Sequence, residues 1–166
     1  MSRILAIDPG YDRCGIAIVE GGPSPVIVHS ACITTDKKDS HEVRLAFIYR
    51  ELEKLLATWA PDALAIETLF FSVNKKTAIK VAEARGMILV FAGIHALTLI
   101  ELSPQEVKLS MTGVGNATKE QVQKMVTLSL KLDMKGKIDD EIDAIALGVA
   151  AAQKLRVENL QKRLAK

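Results

Sequence analysis

Apolar residues in the first part of the chain occur in short runs that are separated by tight turns. The turns are marked by Pro9-Gly10 and by Gly21-Gly22-Pro23, residue types that favour chain reversal. Short apolar runs bounded by such turns are typical of antiparallel strands with short connections. The pattern therefore predicts three strands at residues 3–8, 14–20 and 26–33.

After residue 40 the spacing of the apolar residues changes. Long segments repeat their apolar residues every three or four positions, which is the period of a helix with a buried face. The continuous apolar runs between these segments are short enough to be strands. The pattern predicts helices at 40–59 and 75–96, and strands at 63–67 and 98–102.

Helix-start signals organise the last third of the chain. Ser103 followed by Pro104 is typical of the cap and the first residue of a short helix. Thr118 with Gln121 forms a capping box that opens another helix. We expect the final helix to begin near Asp139 and to carry alanine-rich sequence to the C-terminus.

The order of these elements predicts an α/β fold. We expect a five-stranded mixed sheet in which strands 1–3 are antiparallel and helices cover both faces. A chain of 166 residues can bury one substantial core, and no linker or repeat divides it. The prediction is a single domain over residues 1–166, in which the segment from about 155 to 166 is a basic helix end or tail.

The composition excludes several classes of protein. Hydrophobic residues make up 49% and charged residues 25%, an ordinary balance for a soluble globular protein. The most apolar stretch, 87–102, is interrupted by Gly93 and His95 and is too short to span a bilayer, so we expect a cytoplasmic protein. Cys14 and Cys32 form no CxxC pair and are expected to be buried free thiols. The three histidines lack the spacing of a metal site.

Positive charge is concentrated locally, although the formal net charge is only +2. The tail from residue 154 carries five basic residues against one acidic residue. Such patches would have to hold a polyanion if the protein binds one. Solvated helix faces explain each cluster equally well. The other clusters are Lys75, Lys76, Lys80 and Arg85, and Lys119 with Lys124.

Acidic residues stand at two predicted strand ends and at the start of the last helix. Asp8 ends the first strand and Glu67 ends the fourth, positions where ligand sites gather in α/β sheets. Asp140 and Asp143 are three residues apart and project from one helix face. The spacing leaves a second choice open, because Asp139 and Asp143 also share a face. Carboxylates of this kind suit Mg²⁺ or Mn²⁺.

Each acid taken alone also has an ordinary structural explanation. An Asp-Pro-Gly sequence is a common turn, and the helix dipole favours acids in the first turn of a helix. Taken together, the four acids predict a site for two divalent ions about 4 Å apart. Such a pair can activate a water molecule and stabilise the departing oxygen of a phosphodiester.

An ordered set of motifs across nearly the whole chain resembles the RuvC family of Holliday junction resolvases. The family pattern D-x-x-D-A-[LI]-A selects Asp140 and Asp143. The resemblance implies the RNase H-like fold, whose order of elements is the predicted one. The motifs are Ile7-Asp8-Pro9-Gly10 with Gly15, Ala65-Ile66-Glu67, Asn74 leading to Ala84-Arg85-Gly86, Val107-Lys108, Gly113-Val114-Gly115-Asn116-Ala117-Thr118-Lys119, and Asp140-Glu141-Ile142-Asp143-Ala144-Ile145-Ala146.

The resemblance implies an endonuclease that resolves four-way (Holliday) DNA junctions in homologous recombination and repair. A homodimer would hold one junction and nick two strands of like polarity at symmetric positions. The expected cofactor is Mg²⁺, two ions per active site, with Mn²⁺ as a substitute. A branch-migration motor complex is a partner that the resemblance allows for.

The resemblance also assigns roles to individual residues. Phe70 corresponds to the junction-probing aromatic of the family, although an aromatic of this kind is equally compatible with core packing. Lys108 and Lys119 correspond to basic residues of the catalytic site. The expected catalytic metal ligands are Asp8, Glu67, Asp140 and Asp143, and the expected DNA-binding residues are Phe70, Lys75, Lys76, Lys80 and Arg85.

Two alternative functions stay open. The Asp-Pro-Gly turn and the following Gly-Ile-Ala-Ile strand also resemble the first phosphate loop of actin-like ATPases. Those nucleotide-binding proteins need a duplicated domain, whereas this chain has room for one. The other alternative is a non-catalytic junction-binding protein. The intact acids argue against it, because carboxylates near a phosphate repel it unless a metal lies between them.

Overall fold

The computed structural model describes residues 2–68, 75–130 and 136–165, without the side chains of residues 75–77. Three strands come first, then helices and strands alternate, and helices close the chain, as predicted. The strands are β1 Arg3–Asp8, β2 Arg13–Glu20, β3 Val26–Thr34, β4 Ala63–Glu67 and β5 Thr98–Leu102. The helices are α1 His41–Trp59, α2 Lys75–Ile94, α3 Pro104–Thr112, α4 Lys119–Leu130 and α5 Asp139–Leu164.

The five strands form one mixed sheet in the order β3-β2-β1-β4-β5. Strand β2 is antiparallel to both β1 and β3, while β4 is parallel to both β1 and β5. The predicted mixed sheet with three antiparallel strands is therefore confirmed. Because β1 and β4 are parallel neighbours, their carboxyl ends lie at the same edge of the sheet.

Helices cover both faces of the sheet, as the sequence predicts. One core lies between the sheet and helices α3, α4 and α5, and a second core lies between the sheet and helices α1 and α2. Side chains of β1 alternate between them, since Ile4 and Ala6 belong to the first core while Leu5 and Ile7 belong to the second. A strand that is buried on both faces must be apolar throughout. This explains the uninterrupted apolar run in β1.

Side-chain caps begin helices where the sequence predicts them. The hydroxyl of Ser103 accepts a hydrogen bond from the backbone N–H of Glu106, and the Glu106 carboxylate accepts one from the backbone N–H of Ser103. Thr118 and Gln121 form the same reciprocal pair just before α4. These caps satisfy backbone donors that the first helical turn leaves without partners.

Some details differ from the sequence-based expectation. Helix α2 ends at Ile94 rather than at residue 96, because Ala96 adopts a φ of 51° that turns the chain toward β5. Cys14 is buried as expected, but Cys32 is only partly buried, since it lies on the edge strand β3. The part of the chain that the structure describes holds no helix that is both long and apolar enough to span a membrane.

Gly148 allows helix α5 to lie very close to the sheet. A Cβ atom at this position would stand 2.5 Å from Cγ2 of Val19 and 3.1 Å from Cβ of Ala6. Both neighbours are fully buried, and the β-branched side chain of Val19 has few alternative rotamers. The absence of a side chain at Gly148 therefore sets the distance between α5 and strands β1 and β2.

Gly148→Ala is expected to lower the free energy of unfolding by about 1–3 kcal/mol, because the added methyl group overpacks a filled core. Gly93→Ala is the matched control, since no atom lies within 4 Å of the position that its Cβ would take. Alanine is the better helix former by about 0.5–1 kcal/mol, so the control should not lose stability. Urea unfolding followed by circular dichroism measures both variants. Equal changes in the two would contradict the role given to Gly148.

Candidate functional site at the carboxyl edge of the sheet

Asp8 and Glu67 end two neighbouring parallel strands. The last register pair of β1 and β4 joins Ile7 to Ile66, and the two acids follow directly. Both acids are partly buried. Their carboxylates therefore stand beside each other at one edge of the sheet.

The start of α5 reaches the same edge through a second close approach. Asp8 is paired with Gly15 in the β1–β2 register. A Cβ atom at Gly15 would stand 1.9 Å from the backbone carbonyl oxygen of Asp140, so only glycine leaves room for the helix here. The first turn of α5 thus lies over Gly15, and the charges of Asp140 and Asp143 act on Asp8.

Burial and the charges of neighbouring acids raise the pKa values of Asp8, Glu67 and Asp143. The pKa of Asp8 is raised to about 7, first by burial and then by the negative charges of the three other acids. Burial followed by the charge of Asp143 raises the pKa of Glu67. Burial is also the largest influence that raises the pKa of Asp143. Carboxyl groups that disfavour one another's ionised form in this way are typical of a functional site that attracts a cation.

Basic side chains compensate part of this negative charge. The Nζ atom of Lys119 lies 2.8 Å from Oδ2 of Asp143, and Nε of Arg13 lies 3.0 Å from Oδ2 of Asp140. The charge of Lys108 opposes the rise in the pKa of the acid that ends β4. Of the two lysines that the sequence predicts, Lys119 therefore contacts an acid of the site, and the charge of Lys108 acts on another. Sequence reasoning missed Arg13, which is the first residue of β2, just after the loop that follows the Asp-Pro-Gly turn.

The donor set fits a hard divalent cation. Carboxylate oxygens are the ligands that Mg²⁺ and Mn²⁺ prefer. Oδ2 of Asp140 is buried and has no hydrogen-bond partner among the described residues, although it forms an ion pair with Arg13. Within residues 2–68, 75–130 and 136–165, no three His, Cys, Asp or Glu side chains are grouped closely enough to hold a metal ion as they stand. Coordination of an ion by these acids would therefore require their side chains to rotate, including the release of Asp140 from Arg13 and of Asp143 from Lys119.

The geometry supports Asp140 rather than Asp139 as a member of this cluster. The side chain of Asp139 is 66% exposed, whereas that of Asp140 is 22% exposed. Asp140 contributes to the raised pKa of Asp8. Asp139 faces Lys119 at 3.6 Å, and its charge acts on Asp143 but not on Asp8. The choice that spacing left open thus agrees with the family pattern.

The predicted DNA-binding residues have different surroundings. Lys80 is exposed, and its Nζ lies 4.8 Å from the centre of the Tyr11 ring. Arg85 is engaged within the fold, since it donates to the backbone oxygen of Glu67 and forms an ion pair with Glu101. The DNA-binding roles stay predictions. The residues that fall outside the described side chains are Phe70, Lys75 and Lys76.

A polar cluster that sequence reasoning missed holds the first turn of α5. We call Ser30, Lys137 and Glu141 the α5 anchor. Ser30, on the edge strand β3, donates a hydrogen bond of 2.6 Å to Glu141, and Lys137 donates to both other members. Burial alone would raise the pKa of Glu141, but the bonds from Lys137 and Ser30 outweigh it and lower that pKa. The i,i+4 spacing of Lys137 and Glu141 is the sequence signal for this ion pair.

Glu141→Ala is expected to lower the free energy of unfolding by about 1–3 kcal/mol, because Ser30 and Lys137 lose the charged group that satisfies them. The loosened turn carries Asp140 and Asp143, so the rise in melting temperature on adding Mg²⁺ should also shrink. Differential scanning fluorimetry with and without Mg²⁺ measures this response. Glu141→Gln retains an acceptor oxygen, so its free energy of unfolding and its response to Mg²⁺ should fall less than those of Glu141→Ala.

Glu53→Ala is the matched control for Glu141→Ala. Glu53 contacts His95 at 2.8 Å between α1 and the end of α2, on the other face of the sheet. Its loss should change stability and leave the response to Mg²⁺ intact. An unchanged Mg²⁺ response in Glu141→Ala would show that the α5 anchor does not position the aspartates.

The sequence of this chain is similar to those of a known protein family. The family model for crossover junction endodeoxyribonuclease RuvC matches residues 4–164. The crossover junction endodeoxyribonuclease RuvC of Thermosipho melanesiensis is 45% identical over 156 residues, which are 93% of this chain and 99% of the relative. The protein of the same name from Brachyspira hyodysenteriae is 44% identical and covers 93% of this chain and 96% of the relative.

Solved structures agree with the sequence relatives. Thermus thermophilus RuvC, solved in complex with a Holliday junction substrate, matches with a TM-score of 0.87 at 28% identity, over 95% of this chain and 97% of that chain. The predicted RNase H-like fold is thereby confirmed. The carboxylates at the sheet edge thus stand in a chain that belongs to the RuvC family of crossover junction endodeoxyribonucleases.

Proposed function

We propose that this chain is an endonuclease that resolves four-way DNA junctions by metal-dependent hydrolysis of phosphodiester bonds. The observation that carries the proposal is the backbone geometry that brings the ends of β1 and β4 and the first turn of α5, which carry the four acids, to one edge of the sheet. Membership of the RuvC family supports the same activity. The Thermus thermophilus relative was solved with a Holliday junction substrate, which supports junction DNA as the ligand.

The four acids are the proposed metal ligands. We infer that Asp8, Glu67, Asp140 and Asp143 hold Mg²⁺, two ions per active site, and that Mn²⁺ can substitute for it. Bound ions of this kind activate a water molecule and stabilise the departing oxygen. Asp8 stands at the centre of this set, because the charges of all three other acids act on it. Its ionised form is costly until positive charge balances the cluster.

Lys119 and Lys108 are the proposed ligands of the scissile phosphate. Lys119 is the first residue of α4, where backbone N–H groups can also meet an anion. Burial lowers the pKa of Lys119, but its contacts with Asp143 and Asp139 outweigh this and raise that pKa above the ordinary value. The side chain is therefore a cation at neutral pH. A phosphate group at the site would compete with Asp143 for it.

Asp8→Asn is expected to reduce Mg²⁺-dependent cleavage of a synthetic four-way junction by about a hundredfold or more, since several kcal/mol of charge stabilisation depend on this ligand. Junction binding in EDTA should persist. The free energy of unfolding in EDTA should rise, because a partly buried charge that faces three others is removed. Gel assays measure cleavage, fluorescence anisotropy measures binding, and urea titration measures stability.

Asp139→Asn is the matched control for Asp8→Asn, because it removes a mostly exposed acid whose charge does not act on Asp8. We expect its cleavage rate and its stability in EDTA to remain close to those of the unmodified chain. Undiminished cleavage by Asp8→Asn would overturn the proposed activity. A loss in Asp139→Asn as large as that in Asp8→Asn would instead overturn the choice of ligands.

A homodimer through α2 is the proposed assembly. Ile79, Val90 and Ile94 project from one side of the helix and are 68%, 59% and 63% exposed. Ile88 and Phe91, on the opposite side, are fully buried against the sheet. A helix that is apolar on two sides needs a second partner. A two-fold dimer would match the symmetry of a junction and supply two active sites. A motor partner and a cytoplasmic location stay predictions from the sequence.

Val90→Glu is expected to convert the dimer into a folded monomer, because the introduced charge would be buried without a partner at the interface. Analytical ultracentrifugation over a range of concentrations measures the mass. Leu128→Glu is the matched control, since Leu128 is an equally exposed apolar residue on α4, at 62%. A dimer that survives Val90→Glu but not Leu128→Glu would place the interface on α4.

A further inference from the structure

We propose that a groove beside the carboxylate cluster binds the phosphate backbone of the DNA strand that adjoins the cleavage site. We call it the loop groove, and this inference rests on the proposed nuclease function. It lies between the loop that follows β1 and the loop that follows β3, and its volume is about 480 Å³. Asp140 forms part of its wall, so the groove is continuous with the carboxylate cluster.

A buried arginine ties the two loops of the groove together. Arg44 of α1 is only 4% exposed. It donates hydrogen bonds to the hydroxyl of Thr35 at 2.8 Å and to the backbone oxygen of Tyr11 at 3.4 Å, and it also pairs with Asp12. Its guanidinium group lies 3.7 Å from the centre of the Tyr11 ring. The loop after β1 is thereby held to α1.

Direct contacts between the loops complete this wall. The hydroxyl of Thr35 donates to the backbone oxygen of Tyr11 at 3.0 Å. The backbone N–H of Thr35 donates to the backbone oxygen of Asp12 at 3.1 Å. A surface whose loops are held in this way loses little conformational freedom on binding, which favours affinity.

The charges around the groove favour an anion. Among the described residues, the charged side chains that line the groove are two cations, Arg13 and Lys37, and two acids, Asp12 and Asp140. Lys80 adds positive charge beside the groove, because its Nζ lies 4.8 Å from the centre of the Tyr11 ring. Arg44 compensates Asp12 from the buried side. The side chains of Arg13 and Lys37 are 54% and 80% exposed and can reach a ligand.

The position of the groove identifies the anion as a nucleic acid strand. Phosphate groups repeat along a strand, so a strand whose scissile phosphate lies at the acids must place its next phosphates beside them. The loop groove offers cations at that place, next to Asp140. Such contacts position a strand without reading its sequence. We therefore assign Lys37 and Arg13 to backbone binding and not to base recognition.

Lys37→Gln tests the loop groove, with Lys38→Gln as its matched control. Lys38 is the adjacent exposed lysine and does not line the groove. Fluorescence anisotropy with a synthetic four-way junction in EDTA, between about 50 and 200 mM salt, measures affinity and its salt dependence. Lys37→Gln should weaken binding about threefold to tenfold and reduce the slope of log affinity against log salt by about 1, whereas Lys38→Gln should leave both unchanged.

The outcomes separate the groove from the proposed function. Junction binding by Lys37→Gln that equals that of the unmodified chain would overturn the groove, and so would equal losses in Lys37→Gln and Lys38→Gln. An unmodified chain that fails to bind the junction would overturn the nuclease function itself. The folding of Lys37→Gln is not at risk, because the side chain is 80% exposed and its contact with Asp12 is long, at 3.9 Å.

Discussion

The close approach of helix α5 to the antiparallel half of the sheet is the constraint on which the site depends. Gly148 removes the side chain that would meet Val19, and Gly15 leaves the space that the backbone of Asp140 occupies. Any larger residue at Gly15 would push the first turn of α5 away from β1. The distance from that turn to Asp8 would then grow. The close packing of α5 at these two glycines therefore determines how near its aspartates lie to Asp8.

The site holds more negative charge than its protein partners neutralise. Lys119 contacts Asp143 and Arg13 contacts Asp140, yet the pKa of Asp8 is still raised to about 7 by burial and by its acidic neighbours. Such an arrangement costs stability in the absence of a cation, and proteins accept this cost where function requires it. The α5 anchor opposes it, because its partly buried hydrogen bonds to Glu141 hold the turn that carries Asp140 in place.

The two faces of the sheet have different tasks. Helices α3, α4 and α5 bring Lys108, Lys119 and two of the acids to the carboxyl edge. Helices α1 and α2 lie on the other face of the sheet and contribute side chains to surfaces outside the carboxylate cluster. Helix α1 supplies Arg44 to the loops beside the site, and α2 exposes Val90 and Ile94 on a face that we assign to a second copy of the chain.

Local patterns in the sequence determined the helices and strands. The period of apolar residues and the caps at Ser103 and Thr118 depend only on residues that are close together in the chain. Ordered motifs further identified the family and the acids at the strand ends. Tertiary structure alone decided how the acids are surrounded. Ser30 and Glu141 are 111 residues apart in the chain, and Arg13 meets Asp140 only because α5 lies over β2. Contacts of this kind arise from packing between distant segments, and no local spacing encodes them.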